Sequence, residues 1–307
     1  MAQTVSFTSQ GIKISANVYL PKDTSSKKRA AIVVSHPMGG VKEQTAGLYA
    51  EKLSKLGYIA LTFDAAYQGE SGGVPRFLED PFQRVEDVKN AVTYLSTLPE
   101  VDSERIGALG ICASGGYVPH AAQTDVRIKA AAGISGADVG MLYREGISGS
   151  TSFDDFQKSL LWSAQARKAE IDGQEPMITN LIPCTAEDAA VLPEKTLFRE
   201  AYYYYRTPRA QHPRSENKYL VRSIDKLASF AAYDYNHLIS PRPLLMIAGS
   251  EADTKYFSEV AYEKAKEPKE LFIIDGATHV DLYDILKYVD PVVAKLDSFF
   301  TQYLVSA

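Results

Sequence analysis

The sequence predicts an α/β fold, a doubly wound and mostly parallel sheet that carries an inserted, mainly helical cap. Three observations predict it. Short continuous apolar runs of the buried-strand kind recur along the chain, as at Ala30–Ser35 and Tyr58–Phe63. Stretches with helical spacing separate them, which is the alternation of a parallel sheet. One long stretch, 140–232, breaks that rhythm. The core is therefore assigned to 1–139 and 233–307, and the cap to 140–232.

The elements follow in order. Thr4–Thr8 and Ile12–Leu20 alternate around Gln10-Gly11 and read as a hairpin at an antiparallel edge. After the strand at Ala30–Ser35, "EQTAGLYAEKLSKLGY" reads as a helix closed by Gly57. The strand Tyr58–Phe63 follows. Val85, Val88, Val92 and Leu95 then repeat at helical spacing, and that helix stops before Pro99. Arg105–Ile111 is a strand, "SGGYVPHAAQ" a helix, and Ile128–Ser135 a strand. Pro243–Ser250 and Glu270–Asp275 supply two more strands around a helix near Tyr256–Ala265. Asp290-Pro291 suits the N-cap and first turn of a final helix lined by Val293, Leu296, Phe300 and Leu304. The interrupting stretch is polar and rich in Tyr and Arg, with "AYYYYRTPR" and the only tryptophan, Trp162. A long ordered surface excursion is its other reading, but structureless loops of that length are uncommon.

The 307 residues are 45% apolar and 23% charged, with a net charge of −5 and no basic block, so a nucleic-acid partner is not expected. No apolar run reaches membrane-spanning length, and no membrane partner is expected. The N-terminus alternates instead of forming a signal-peptide core. Two cysteines, Cys112 and Cys184, are too few for a disulfide framework and point to a reducing, cytoplasmic setting. No CxxC, HExxH or P-loop pattern occurs, so neither a metal nor a cofactor is expected. Glycines in "FDAAYQGESGG" do not have dinucleotide-binding spacing. The expected partner is a small acyl substrate, and a homodimer is compatible with the sequence.

"GALGICASGGYV" places a strand, a tight turn among small residues and a helix in succession, the context of a nucleophile elbow. With Cys112 at the tip, Gly110 lies two before it, and Ser114 and Gly115 follow closely. With Ser114 at the tip, Cys112 would occupy a glycine position. Cys112 is therefore preferred, although a free cysteine by itself is usually a small buried hydrophobe. A helix N-terminus and an imidazole can hold such a thiol as thiolate. In the chain order nucleophile, acid, base, His279 follows the last strand and is the expected base. Asp253, after the preceding strand, is the expected acid that orients it, with Glu251 as runner-up. His36, His120, His212 and His237 fit that place less well. The backbone N–H groups of Met38 and Ala113 are the expected oxyanion donors. Gly39, Tyr67, Ser114 and Tyr204 are the expected substrate contacts; the tyrosines at 202–205 could equally form cap core.

These residues resemble the α/β-hydrolase superfamily, and within it the dienelactone-hydrolase-like group and its capped relatives, which include fungal polyketide acyl transferases and bacterial hydrolases. "GICASGG" is similar to the family's cysteine elbow, and "GSEAD" and "GATHVDLYD" to its acid and histidine segments. The resemblance implies Cys112, Asp253 and His279 as a triad. "HPMGG" lacks the acidic residue that plain dienelactone hydrolases carry near this loop, and Ser114 replaces a usual glycine. The expected function is hydrolysis of ester, thioester or lactone bonds through an acyl-enzyme. Acyl transfer on the same triad and a non-enzymatic ligand receptor are the alternatives. Epoxide or haloalkane opening normally wants a carboxylate at the elbow, and none is there.

Overall fold

The alternating N-terminal stretch forms a hairpin of β1 (Ala2–Ser9) and β2 (Ile12–Tyr19), antiparallel with Ser9 opposite Ile12. The computed structural model describes residues 2–22 and 27–306. The chain continues through β3 (Arg29–Ser35), α1 (Thr45–Lys55), β4 (Ile59–Phe63), α2 (Pro81–Thr97), β5 (Val101–Ile111), α3 (Ser114–Thr124) and β6 (Ala130–Ile134). After β6 comes an insert: α4 (Val139–Glu145), α5 (Phe153–Ile171), β7 (Ile178–Asn180), α6 (Ala186–Ala190), α7 (Leu197–Tyr205), β8 (Lys218–Leu220) and α8 (Ser223–Ser229). The core resumes with β9 (Leu244–Gly249), α9 (Lys255–Lys264), β10 (Lys269–Ile274), α10 (Asp281–Asp284) and α11 (Leu286–Phe300).

Eight strands form one sheet in the order β1-β2-β4-β3-β5-β6-β9-β10. β1 and β2 are the antiparallel edge, and every pairing from β4 to β10 is parallel. Alternation along each strand splits the core in two. Ala31 and Val33 of β3 face α2, α3 and α9, packing with Val88, Val118 and Phe257. Ile32 and Val34 face α1 and α11, with Tyr49, Leu53, Val292 and Leu296. This period of two is why strands covered on both sides read as unbroken apolar runs. Asp80 accepts from the N–H groups of Phe82 and Gln83 and starts α2, with Pro81 in the first turn.

From β3 the chain passes first to β4 on one side and then to β5 on the other. The crevice beyond the carboxyl ends of β3 and β5 is thus the topological switch point, where ligands bind in open α/β sheets.

The structure differs from the sequence expectation in three elements. β5 begins at Val101, because its first residues continue the strand across the charged turn. The insert carries a two-stranded antiparallel sheet, β7 with β8, as well as helices. The last helix starts at Leu286, so Pro291 lies inside α11 and Asp290 pairs with Lys52 at 2.7 Å instead of capping. Burial of Leu282, Tyr283 and Val289 draws the chain into helix early, and Lys287, whose carbonyl loses its usual donor at Pro291, sits on the exposed side.

Candidate active site

Cys112 sits at the tip of the turn between β5 and α3 with φ of +59°, a left-handed backbone that a non-glycine residue rarely adopts. Close packing enforces it. A Cβ on Gly110 would lie 1.8 Å from the carbonyl oxygen of Ser114, and one on Gly115 would lie 2.6 Å from the Cα of Gly136. Hydrogen bonds fix the turn to the neighbouring strand: Cys112 N–H donates to Ile134 O at 3.0 Å, and Ala137 N–H donates to Cys112 O at 3.0 Å. Ser114 points the other way. Its hydroxyl is fully buried beneath the turn, donates to His36 O at 2.6 Å and lies 2.8 Å from Ser35 Oγ. The expected substrate contact at Ser114 is therefore corrected; the residue ties the elbow to the loop after β3.

That loop carries Met38, which lines the same cavity as Cys112 and Ala113. The N–H of Ala113 points toward the Cys112 sulfur. A buried charged brace holds the loop. Asp64, at the end of β4, accepts from Lys42 N–H at 2.8 Å, Lys42 Nζ at 3.0 Å and Glu70 N–H at 2.8 Å. Both side chains are essentially unexposed. Burial works against the Lys42 ammonium, and Asp64, Glu70 and Glu43 outweigh it, so its pKa lies above the ordinary lysine value. His36 is a second brace: its Nδ1 faces Pro37 O at 2.7 Å, and its Nε2 accepts from Ala65 N–H at 3.1 Å. Burial, then the Arg84 charge, keeps it neutral.

His279 reaches the same region from the loop after β10, and its own carbonyl accepts from Ser135 Oγ at 2.9 Å. Its Nδ1 is 2.5 Å from Thr254 Oγ1, and its Nε2 is 3.1 Å from the Tyr283 hydroxyl. Tyr283 lines the same cavity as Cys112, and its hydroxyl acts to lower the thiol's pKa. Tyr283 is thus the side chain that reaches His279 from the cavity wall it shares with Cys112. Burial pushes the Cys112 thiol above its ordinary pKa, against the lowering effect of Tyr283 and the Ala113 N–H. Burial also takes His279 down to about 3. Both shifts favour the neutral thiol and the neutral imidazole over the expected thiolate, because desolvation works against each charge.

The structure does not couple Asp253 to His279. Asp253 Oδ2 accepts from Leu197 N–H at 3.0 Å, at the N-terminus of α7, and Oδ1 is buried without a partner. The free N–H groups of a helix start compete for a carboxylate, and here they win. Burial raises the Asp253 pKa. Glu251 is turned outward and pairs with Lys195.

A cavity of about 790 Å³ opens above Cys112. Its walls come from the insert and the core loops together, with Leu142, Ile147, Trp162, Leu181, Phe198 and Ile224 among the apolar lining. Asp155 and Asp253 are its only charged side chains among the described residues. The other three expected substrate contacts lie outside the lining. Gly39, at φ of +74°, accepts through its carbonyl from Ser215 Oγ and Asn217 Nδ2, and a Cβ there would meet Leu181 at 3.0 Å, so it docks the insert. Tyr67 braces its own loop, its N–H donating to Gly72 O at 2.8 Å. Tyr204 is core, edge-on to Tyr283 at 5.1 Å. Its neighbour Tyr205 lines the cavity instead.

The sequence pattern gives no site role to Thr254 or Tyr283, and it groups Tyr205 with the tyrosines that could form cap core. Tyr283 had a signal: it stands four residues after His279, one helical turn away. Thr254 and Tyr205 had none, since each sits beside the residue the pattern favoured.

Residues 14–149 match the model of the Dienelactone hydrolase family. The chain is 40% identical over 309 residues to the uncharacterized protein YcjY of Escherichia coli strain K12, covering 99% of this chain and all of that one. The crystal structure of hypothetical protein PA2218 from Pseudomonas aeruginosa superposes with a TM-score of 0.91 at 36% identity, covering 99% of this chain and 94% of that one. A thiohydrolase of Eupenicillium brefeldianum is 25% identical over 275 residues, 88% of this chain and 85% of its own. No helix among the described residues is long and apolar enough to cross a membrane. With a strained elbow at the switch point of a β1-β2-β4-β3-β5-β6-β9-β10 sheet, the chain belongs to the dienelactone hydrolase family of α/β-hydrolase enzymes.

Proposed function

We propose that the protein hydrolyses esters or thioesters of neutral, apolar acyl groups through an acyl-enzyme on Cys112. The observation that carries this is a cysteine held at positive φ on an elbow tip that faces a large apolar cavity. His279 is the base, Thr254 positions its ring, and the N–H groups of Met38 and Ala113 receive the oxyanion. The insert is the cap: it supplies most of the wall that would hold the acyl chain. No Lys, Arg or His lines that wall among the described residues, so a carboxylate on the acyl group would be buried without a counter-charge. The thiohydrolase relative supports thioesters in particular.

Incubation with a panel of p-nitrophenyl esters and acyl thioesters of increasing length tests the reading, with intact-mass detection of an acyl adduct on Cys112. Neutral medium-length chains should turn over best, and acids of the same length poorly. Leu142→Trp, which fills part of the cavity, should move the preference to shorter chains while acetyl ester turnover stays within about threefold. An adduct that forms but is released only by an added alcohol would make the enzyme an acyltransferase. Stoichiometric binding without an adduct would reject the reading.

A second arrangement is favoured by one observation, the unpartnered Asp253 Oδ1. Exchange of its Leu197 partner for His279 Nδ1 would complete a Cys-His-Asp triad. Thr254→Val and Asp253→Ala separate the two. With the ring held as seen, Thr254→Val lowers kcat/KM about tenfold. If Asp253→Ala costs far more and Thr254→Val nothing, the carboxylate is the working partner.

A further inference from the structure

We propose that Tyr283 is a catalytic proton relay, carrying the Cys112 proton to His279 through its own hydroxyl. The proposal rests on the reading of Cys112 as nucleophile. Its basis is the placement of the phenol: the Tyr283 hydroxyl is 3.1 Å from His279 Nε2, and Tyr283 lines the same cavity as Cys112, whose thiol it influences electrostatically, while His279 Nδ1 is held at 2.5 Å by Thr254. Among the described residues no hydrogen bond joins sulfur to imidazole directly. The phenol is fixed in that place. Tyr283 is 1% exposed, stacks edge-on against Tyr204 and His279, and its backbone N–H donates to Val280 O at 3.0 Å.

In the step proposed, the thiol S–H bond breaks and its proton goes to the Tyr283 oxygen. The phenol's own proton passes to His279 Nε2. Sulfur attacks the carbonyl carbon as the C–S bond forms, and the carbonyl π pair moves onto oxygen. The tyrosine is neutral before and after, so no phenolate is stored in a buried site. Collapse of the intermediate returns the imidazolium proton along the same path to the departing alkoxide or thiolate. Hydrolysis of the acyl-enzyme then repeats the transfer with water as the proton source and restores the thiol. The relay also accounts for the resting state: a thiol and an imidazole that burial keeps neutral ionise together only when substrate draws the sulfur forward.

The test uses a Cys184→Ser background, because Cys184 is exposed and would react first. Alkylation of Cys112 by iodoacetamide at neutral pH and kcat/KM on an activated thioester are measured for Tyr283→Phe, His279→Ala and the double variant. The relay requires Tyr283→Phe to lower both rates about 10- to 100-fold, with the double variant no slower than the worse single. Alkylation and turnover as fast as in the parent, or additive losses, would overturn it. A proton inventory of kcat/KM on the unsubstituted enzyme serves if Tyr283→Phe does not fold. A bowed plot is expected from two protons in flight, and a straight one rejects the relay. Full turnover by Cys112→Ala would instead remove the nucleophile reading beneath it, whatever Tyr283→Phe does.

Discussion

Cys112→Ala is expected to lose at least about 10³-fold in kcat on an activated ester, with KM little changed, whereas Ser114→Ala keeps activity within a few-fold. The contrast is geometric. Cys112 stands at the elbow tip and faces the cavity, with the Ala113 N–H and the Tyr283 hydroxyl around its sulfur. Ser114 lies two residues on, below the turn, where its hydroxyl joins His36 O and Ser35. Deleting that hydroxyl leaves the His36 carbonyl with the Arg84 guanidinium as its remaining donor and takes a partner from Ser35, a cost of about 1 kcal/mol in stability and no lost reacting group. Kinetics and thermal unfolding of the two variants decide the matter. Inactive Ser114→Ala beside active Cys112→Ala would reverse the assignment.

Asp64→Ala is expected to destabilise the fold by about 3 kcal/mol, the range for removing one partner of a buried ion pair. The Lys42 ammonium would keep Glu70 at 2.6 Å and Glu43 at 2.9 Å, both partly exposed, and lose its buried partner. The Lys42 and Glu70 N–H groups would lose their acceptor as well. Because Lys42 closely follows the loop that carries Met38 into the cavity wall, kcat should fall with stability even though Asp64 does not line the cavity. Replacement of both partners, Lys42→Met with Asp64→Leu, should recover part of the stability, since two apolar side chains leave no buried charge unpaired. A melting temperature unchanged in Asp64→Ala would show that the brace is not holding the loop.

Much of the site could be read directly from local pattern. Gly110, Cys112 and Gly115 are local demands of one turn: each Cβ or its absence answers to atoms within a few residues or on the adjacent strand. His279 could be placed because chain order in a doubly wound sheet restricts which loop can reach the elbow. The acid and the substrate contacts were a different matter. Asp253 and Thr254 are adjacent, and which one meets the imidazole depends on α7, whose first-turn Leu197 N–H has no acceptor within the helix and claims the carboxylate from 56 residues away. Tyr204 and Tyr205 are neighbours on that helix, and only the rotation of α7 against the core sends one toward Tyr283 and the other into the cavity.

Apolar period and turn chemistry are properties of short segments, so the doubly wound sheet, its antiparallel edge and the cysteine elbow follow from the chain read alone. The docking of the insert on the sheet's carboxyl edge is a long-range event. It brings together hydrogen-bond donors and apolar walls whose partners are unknown until the two surfaces meet. For that reason the burial of the thiol, the tyrosine beside the imidazole, the carboxylate turned to a helix end and the largely apolar cavity are decided by tertiary packing, through burial and competition for a few unpaired N–H groups.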